Sequence, residues 1–374
     1  MRKESEGRTE TRGPVTEPNP LVSVMMPAYN AGEYIASAIE SVLGQHQANL
    51  ELIVVDDGSR DDTAAIVRGF SDPRIVFVQQ VNGGEAAARN KALDHVRGRY
   101  IAFLDADDLH TPEHLELTVR YLEEHPDRDA VYTDGYYIDR AGVRGQPLST
   151  QRRGPFEGRI YDEVVRASDV FGPPICVVLR TELVRRAGLR FDTRIVIGPD
   201  WDFLVRVADL GRFGYLEEKT CLYRVHETNI SVQVDQSRRF GYLTLCRENA
   251  VRMRSFGACA EDVKAAVFYD LLVHLPDRQY DRRLAITQWE EFKGLLPATR
   301  AWLYRMIAGN AIVDGAEDRV IQHCLDMSCQ LLPRDWKGRL LTAAYRVHPG
   351  ISRALLRVKR SRQQVEAQTL ASGS

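Results

Sequence analysis

The chain has 374 residues, room for two or three domains at about 150 residues each. With 44% hydrophobic, 27% charged and 8% aromatic residues it has a globular composition, which excludes a disordered, collagen-like or disulfide-scaffold chain. Fifty basic against 52 acidic residues give a net charge of −2, so no global electrostatic case exists for nucleic acid as a partner.

Other features place the chain in a compartment. No window approaches the roughly 18 consecutive apolar residues of a membrane span, and residues 1–20 are polar and proline-bearing, as in a disordered leader and unlike a secretory signal. Six cysteines without a CxxC pair read as reduced thiols filling a core, which fits a cytoplasmic protein.

In chain order, Val22–Met26 reads as a strand, and Tyr34, Ile35, Ala38, Ile39, Val42 and Leu43 recur at helical spacing. Strands follow at Leu52–Val55, Ile75–Val78 and Tyr100–Leu104, with helices at Thr63–Phe70 and Glu85–Val96 between them. This alternation predicts right-handed βαβ units, a mostly parallel Rossmann-like sheet with helices on both faces, and ligands beyond the carboxyl ends of its strands. A helix from Pro112 to His125, a strand Ala130–Asp139, a loop over 144–158, a strand Ile175–Arg180 and a helix Asp200–Asp209 come next. The runs Gly214–Glu217 and Cys221–Val225 read as a strand pair, after which β signals cease and the chain is helical to about 365. The expected division is therefore a leader 1–20, an α/β domain 21–232 and a helical region 233–374.

Three strand ends carry the chemistry: Pro27-Ala28-Tyr29-Asn30, Asp56-Asp57-Gly58-Ser59 and Asp105-Ala106-Asp107-Asp108. Carboxylates gathered on one rim repel each other, and a divalent cation with a phosphorylated ligand relieves that repulsion. Each aspartate alone equally suits a helix cap, but caps do not require Asp-x-Asp.

MMPAYN, VVDDGS, NGGEAAARN, FLDADD, GPDWDF and YRVHETNIS, in that order over residues 21–232, resemble the inverting family 2 glycosyltransferases of the GT-A fold. The resemblance implies a metal-dependent transferase moving a sugar from a nucleotide-diphosphate donor, UDP or dTDP favoured, to the hydroxyl of a glycan or lipid-linked acceptor in cell-surface polysaccharide or glycoconjugate synthesis. It sets Pro27 and Tyr29 against the donor, with Asp57 accepting the base N–H and Arg89 near the nucleotide. Asp105 is implied at the ribose and Asp107, with His226, at Mn²⁺ or Mg²⁺. Asp200 matches the general base, Asp202 is its rival, and Trp201, Asp202 and Arg224 are implied at the substrates. Arg224 also suits a structural ion pair, Asp108 a helix cap and His226 a structural role. Pro199 stands where the family usually has an acidic residue.

Two other classes compete on the residues. An aspartyl phosphohydrolase also carries Asp-x-Asp, but as Asp-x-Asp-x-Thr or Val near its first strand, whereas here Asp-x-Asp-Asp-Leu follows the strand Tyr100–Leu104. A non-catalytic sugar-nucleotide scaffold would keep Tyr29, Asp57 and Asp107 and tolerate loss of Asp200.

Residues 331–374 carry nine bases against Asp335 and Glu366, a balance of +7. Trp336, Leu340, Leu341, Ala344 and Val347, then Ile351, Leu355 and Val358, recur at helical spacing among these bases. The pattern suits a helix packed on the enzyme or a peripheral contact with a cytoplasmic membrane face.

Overall fold

A computed structural model describes residues 21–226, 236–273, 279–350, 352–354 and 356. The proposed leader, residues 227–231 of YRVHETNIS, and Ile351, Leu355 and Val358 of the tail lie outside the described residues.

Among the described residues there are nine strands, β1 (Val22–Ala28), β2 (Leu50–Asp56), β3 (Ile75–Gln79), β4 (Tyr100–Phe103), β5 (Leu109–His110), β6 (Ala130–Ile138), β7 (Arg144–Pro147), β8 (Val177–Arg180) and β9 (Phe213–Arg224). They form one sheet in the order β3-β2-β1-β4-β8-β6-β9-β5, with β7 beside β6. From β3 to β4 the strands are parallel, as the βαβ alternation predicts. Beyond β4 the sheet is mixed, since β8 runs antiparallel to both β4 and β6 while β6 and β9 are parallel.

Side chains alternate strictly across the first strands. Val22, Val24 and Met26 of β1 and Leu52 and Val54 of β2 face one side. There they meet Ile35, Ala38, Ile39 and Val42 of α1 (Ile35–Leu43) and Leu115, Val119 and Leu122 of α4 (His114–Glu124). Met25, Ile53, Val55, Ile101 and Phe103 face the other side and join Ala88 and Ala92 of α3 (Glu85–Leu93) and Phe203 and Leu204 of α7 (Pro199–Leu210). Burial on both faces is why these strands read as continuous apolar runs. Helices α2 (Thr63–Gly69), α5 (Tyr161–Arg166) and α6 (Thr181–Ala187) complete the α/β part.

Several expectations change. The two runs read as a pair over 214–225 are one strand, β9, which keeps pairing with β6 across its polar centre Glu217–Thr220 by shifting register between Thr133, Asp134 and Gly135. A Cβ at Gly135 would come 2.3 Å from Cys221 O, so only glycine lets the two strands close there. The loop over 144–158 contains β7 and a 3₁₀ turn at Leu148–Gln151, whose polar sequence hides an edge strand. Helix α3 ends at Leu93, before the expected Val96.

The remaining helices are α8 (Gln236–Val251), α9 (Glu261–Val273), α10 (Tyr280–Ile286), α11 (Glu290–Lys293), α12 (Pro297–Asp314), α13 (Asp318–Leu331) and α14 (Trp336–Val347). Their apolar residues continue the core on the α3 and α7 face of the sheet. The Tyr161 hydroxyl donates to Ala250 O at 2.7 Å, and Arg247 donates to the carbonyls of Val165 and Arg166, tying α8 to α5. All six cysteines are free thiols.

Candidate active site

The rim begins where β1 runs out. Pro27 is still in β1, paired in register with Val55, and Tyr29 beyond it is 49% exposed. Asn30 has φ +49°, a conformation Asn tolerates better than most residues. It is held there by Ser59 Oγ, which accepts from Asn30 N at 2.9 Å, and by Asn30 Oδ1, which accepts from Arg60 N at 2.8 Å. The β1 and β2 ends are thus one locked unit with an open aromatic face.

Asp57 is buried and largely occupied. Its carboxylate accepts from the N–H groups of Gly83 and Gly84, both at 2.8 Å, and from Gln80 Nε2 at 2.7 Å. Gly84 has φ +86°, which glycine adopts freely, and leads directly into α3. The aspartate therefore holds the Gly83-Gly84 turn that aims α3 at the rim.

On α3, Arg89 is 1% exposed. Its Nη2 lies 2.6 Å from Asp105 Oδ1 and 2.8 Å from Glu85 Oε1 one turn earlier. Burial opposes its charge, but Asp105, Glu85 and Asp200 hold the guanidinium above its ordinary value. Burial pushes the Asp105 carboxyl up to about 6, against the pull of Arg89, with Asp107 and Asp200 adding to the rise. Burial likewise pushes Glu85 up to about 7 against Arg89, with Asp105 and Asp200 adding. The resemblance set Arg89 near the nucleotide; the structure turns it inward as the counter-charge beneath Asp105.

Asp107 and His226 are brought together, with Nε2 of the imidazole 2.9 Å from Oδ2 of the carboxylate. The imidazole also stacks on Tyr34, ring centroids 5.1 Å apart. The two atoms stand at hydrogen-bond distance, and a carboxylate oxygen and an imidazole nitrogen are also the donor types that suit a divalent cation. Asp108 is buried, its Oδ1 accepting from Arg224 N at 2.7 Å. Burial beside Asp107 and Asp105 raises its pKa well above the ordinary range.

Arg224 is 5% exposed. Its Nε donates to Asp107 O at 2.8 Å, its Nη1 donates to the carbonyls of Asp139 and Arg140, and its guanidinium lies 4.8 Å over the Tyr34 ring. Expected at the substrates, it instead clamps the Asp107 backbone to the turn that follows β6.

Asp200 is half-buried in the first turn of α7, which starts after Gly198 with Pro199 at its first position. It lies near enough to raise the carboxyls of Glu85 and Asp105 and, with Asp105, Asp107 and Asp108, the phenol of Tyr223, whose main perturbation is burial. Trp201 and Asp202, also expected at the substrates, are engaged elsewhere. Trp201 Nε1 donates to Val164 O at 2.9 Å, while Asp202 pairs with Arg206 and accepts from Asn249 Nδ2 at 2.8 Å.

Sequence reasoning missed Glu85, Tyr34 and Tyr223. The i,i+4 spacing of Glu85 and Arg89 was the available signal for the first. In sequence Tyr34 reads as part of the apolar stripe of α1, whereas it stands at that helix's N-cap.

His110, His114 and Cys221 form another cluster of metal-binding side-chain types. His110 Nε2 is bonded to Ile175 O and His114 Nδ1 to Thr220 Oγ1. Burial lowers His110 to about 4 and holds His114 well below the ordinary imidazole range, so the stacked rings are neutral core groups.

Comparison with known proteins agrees with this architecture. Residues 23–187 match the model of glycosyl transferase family 2. An uncharacterized glycosyltransferase of Methanocaldococcus jannaschii is 30% identical over 233 residues, which span 60% of this chain and 78% of that protein. The chain belongs to glycosyl transferase family 2. It is therefore a glycosyltransferase related to enzymes of polysaccharide synthesis, such as the chondroitin synthase of Escherichia coli, 32% identical over 239 residues. That match spans 63% of this chain but only 33% of the longer synthase. In fold the family 2 chain resembles S. aureus TarS 1–349, with a TM-score of 0.55 at 19% identity over 92% of this chain and 91% of the other; TarS 1–349 was also solved with UDP-GlcNAc. With this membership the phosphohydrolase reading falls.

Proposed function

We propose that this glycosyltransferase moves one sugar from a nucleoside-diphosphate donor, UDP or dTDP favoured, to an acceptor hydroxyl with inversion at the anomeric carbon. The acceptor class is a growing glycan or a lipid-linked saccharide of a cell-surface polymer. The observation that carries the reading is the pairing of Asp107 with His226 on the rim where Asp105 and Asp200 also stand.

In this reading Tyr29 offers its exposed face to the base. Binding of UDP-GlcNAc by TarS supports a nucleotide-sugar donor. Asp57 fixes the turn beneath it, and Arg89 keeps Asp105 oriented toward the ribose. Asp107 and His226 would hold a divalent cation, Mn²⁺ or Mg²⁺, which would offset the charge of the diphosphate leaving group. Asp200 takes the acceptor proton as the acceptor oxygen bonds to the anomeric carbon and the bond to the diphosphate oxygen breaks, so a single displacement inverts that carbon. Residues 21–232 form the catalytic domain in this proposal, braced by the helical region 233–374.

A thermal-shift panel of UDP-, dTDP- and GDP-sugars, with and without Mn²⁺, tests the reading, because a ligand that binds only the folded state raises its stability. The expected result is stabilisation by one nucleotide class with metal and its loss with chelator. Stabilisation that persists unchanged in chelator overturns the metal assignment. Transfer by a folded Asp200→Asn variant at the normal rate overturns the role of Asp200.

A further inference from the structure

Helix α14 packs on α13 through Gly338, Thr342 and Tyr345, buried residues at helical spacing. Thr342 Oγ1 lies 3.4 Å from Cys329 Sγ, and the Tyr345 hydroxyl donates to Asp318. At about 100° per residue, Trp336, Leu340, Ala343 and Val347 fall on the opposite face. A helix bordered by water would be polar there. Instead Trp336 is 66% exposed, Leu340 60% and Val347 85%. Exposed apolar side chains scattered singly need no explanation, but these three are aligned along one helix.

Bases flank the stripe on both edges, Lys337 on one and Arg339 on the other, where Arg346 also lies but pairs with Asp326 at 3.0 Å. The Lys337 ammonium lies 5.8 Å from the Trp336 ring centroid. Asp335 is turned away, capping the N–H groups of Lys337 and Gly338 and pairing with Arg305. The sequence then adds Arg353, Arg357, Lys359, Arg360 and Arg362 before any acidic residue, the first being Glu366.

We propose that α14 is an interfacial helix that seats Trp336, Leu340 and Val347 in the headgroup boundary of an anionic lipid bilayer, with Lys337 and Arg339 at the lipid phosphates. Charge selects this occupant. A second copy of the chain meeting this face symmetrically would set basic edges against basic edges, whereas anionic lipid supplies the missing negative charge. No described helix is long and apolar enough to span a membrane, so the contact is peripheral for this part of the chain.

Flotation of the full chain with phosphatidylcholine vesicles, with and without phosphatidylglycerol, tests the proposal. Binding is expected to the anionic vesicles alone and to weaken as salt screens the charges. Replacing Trp336, Leu340 and Val347 together by Ser lowers it at least about tenfold. Lys337→Gln and Arg339→Gln each lower it about fivefold. Because these side chains are exposed, an unchanged melting temperature accompanies every variant. The proposal is overturned if the wild type binds neither vesicle, or if the triple-Ser variant floats as well as the wild type. A wild-type dimer in light scattering that the triple-Ser change converts to monomer assigns the face to a second copy and overturns it equally.

Discussion

His226 Nε2 stands 2.9 Å from Asp107 Oδ2, so residues 119 positions apart meet at the carboxyl end of the parallel half of the sheet. Arg224, two residues before His226, ties the end of β9 to the Asp107 segment, its N–H donating to Asp108 Oδ1 and its Nε to the Asp107 carbonyl. Asp107→Asn is expected to weaken Mn²⁺-dependent binding of the preferred nucleoside diphosphate by at least the roughly 10–100-fold that loss of a supporting group costs at metal sites. His226→Gln has a smaller effect in the same direction. Calorimetric titration with Mn²⁺ and with chelator checks this, and equal affinity of Asp107→Asn and wild type in both conditions contradicts the assignment.

The parallel half of the fold was legible because strands buried on both faces leave unbroken apolar runs, as in Leu52–Val55, between helices of clear period. The mixed half was not, since β5 is two residues long and β7 is polar and exposed. Motifs located the rim, yet they could not say which way a side chain turns. Arg89 and Arg224 both look like phosphate ligands in sequence. Only the packing of Asp105 and Glu85 around one, and of backbone carbonyls around the other, reveals their orientation.

Arg89→Met is therefore expected to act on stability before it acts on the nucleotide. Removing one partner of a buried ion pair leaves the other uncompensated, at a cost of about 3–5 kcal/mol. Here two carboxylates, Glu85 and Asp105, lose their counter-charge. Urea unfolding of the variant measures the loss. Wild-type stability with weakened nucleotide binding would restore the direct role at the nucleotide.

Glu85 gives a pH dependence of defined sign. It faces Arg89, Asp105 and Asp200, and burial raises its folded pKa to about 7, above its unfolded value. Between the ordinary carboxylate range and about 7 the folded state binds more protons than the unfolded state, so stability falls as pH rises through that window. Glu85→Gln removes this loss. The variant therefore loses less stability than the wild type as pH rises through that window, while Asp105 remains as the counter-charge of Arg89. Unfolding curves across the window decide it, and parallel pH profiles for the two proteins would contradict it.

Asp200 and Asp202 lie two positions apart on α7 and are separated by what surrounds them. Asp202 is buried, paired with Arg206 and bonded to Asn249 of α8, so its carboxylate is committed to joining α7 to the helical region. Asp200 occupies the helix start, half-buried, where its charge acts on Asp105 and Glu85 at the rim. Asp200→Asn is expected to keep donor binding and lower transfer by about 10²–10⁴-fold, the usual worth of a general base. Asparagine fills the same space and suits a helix start, so the melting temperature changes little. Asp202→Asn is expected to show the converse pattern, with a stability loss of about 1–3 kcal/mol from broken charged hydrogen bonds and a smaller change in turnover. Initial rates and melting temperatures of both variants, taken with the same donor and acceptor, form a two-by-two comparison. A folded Asp202→Asn that is inactive, beside an active Asp200→Asn, would exchange the two roles.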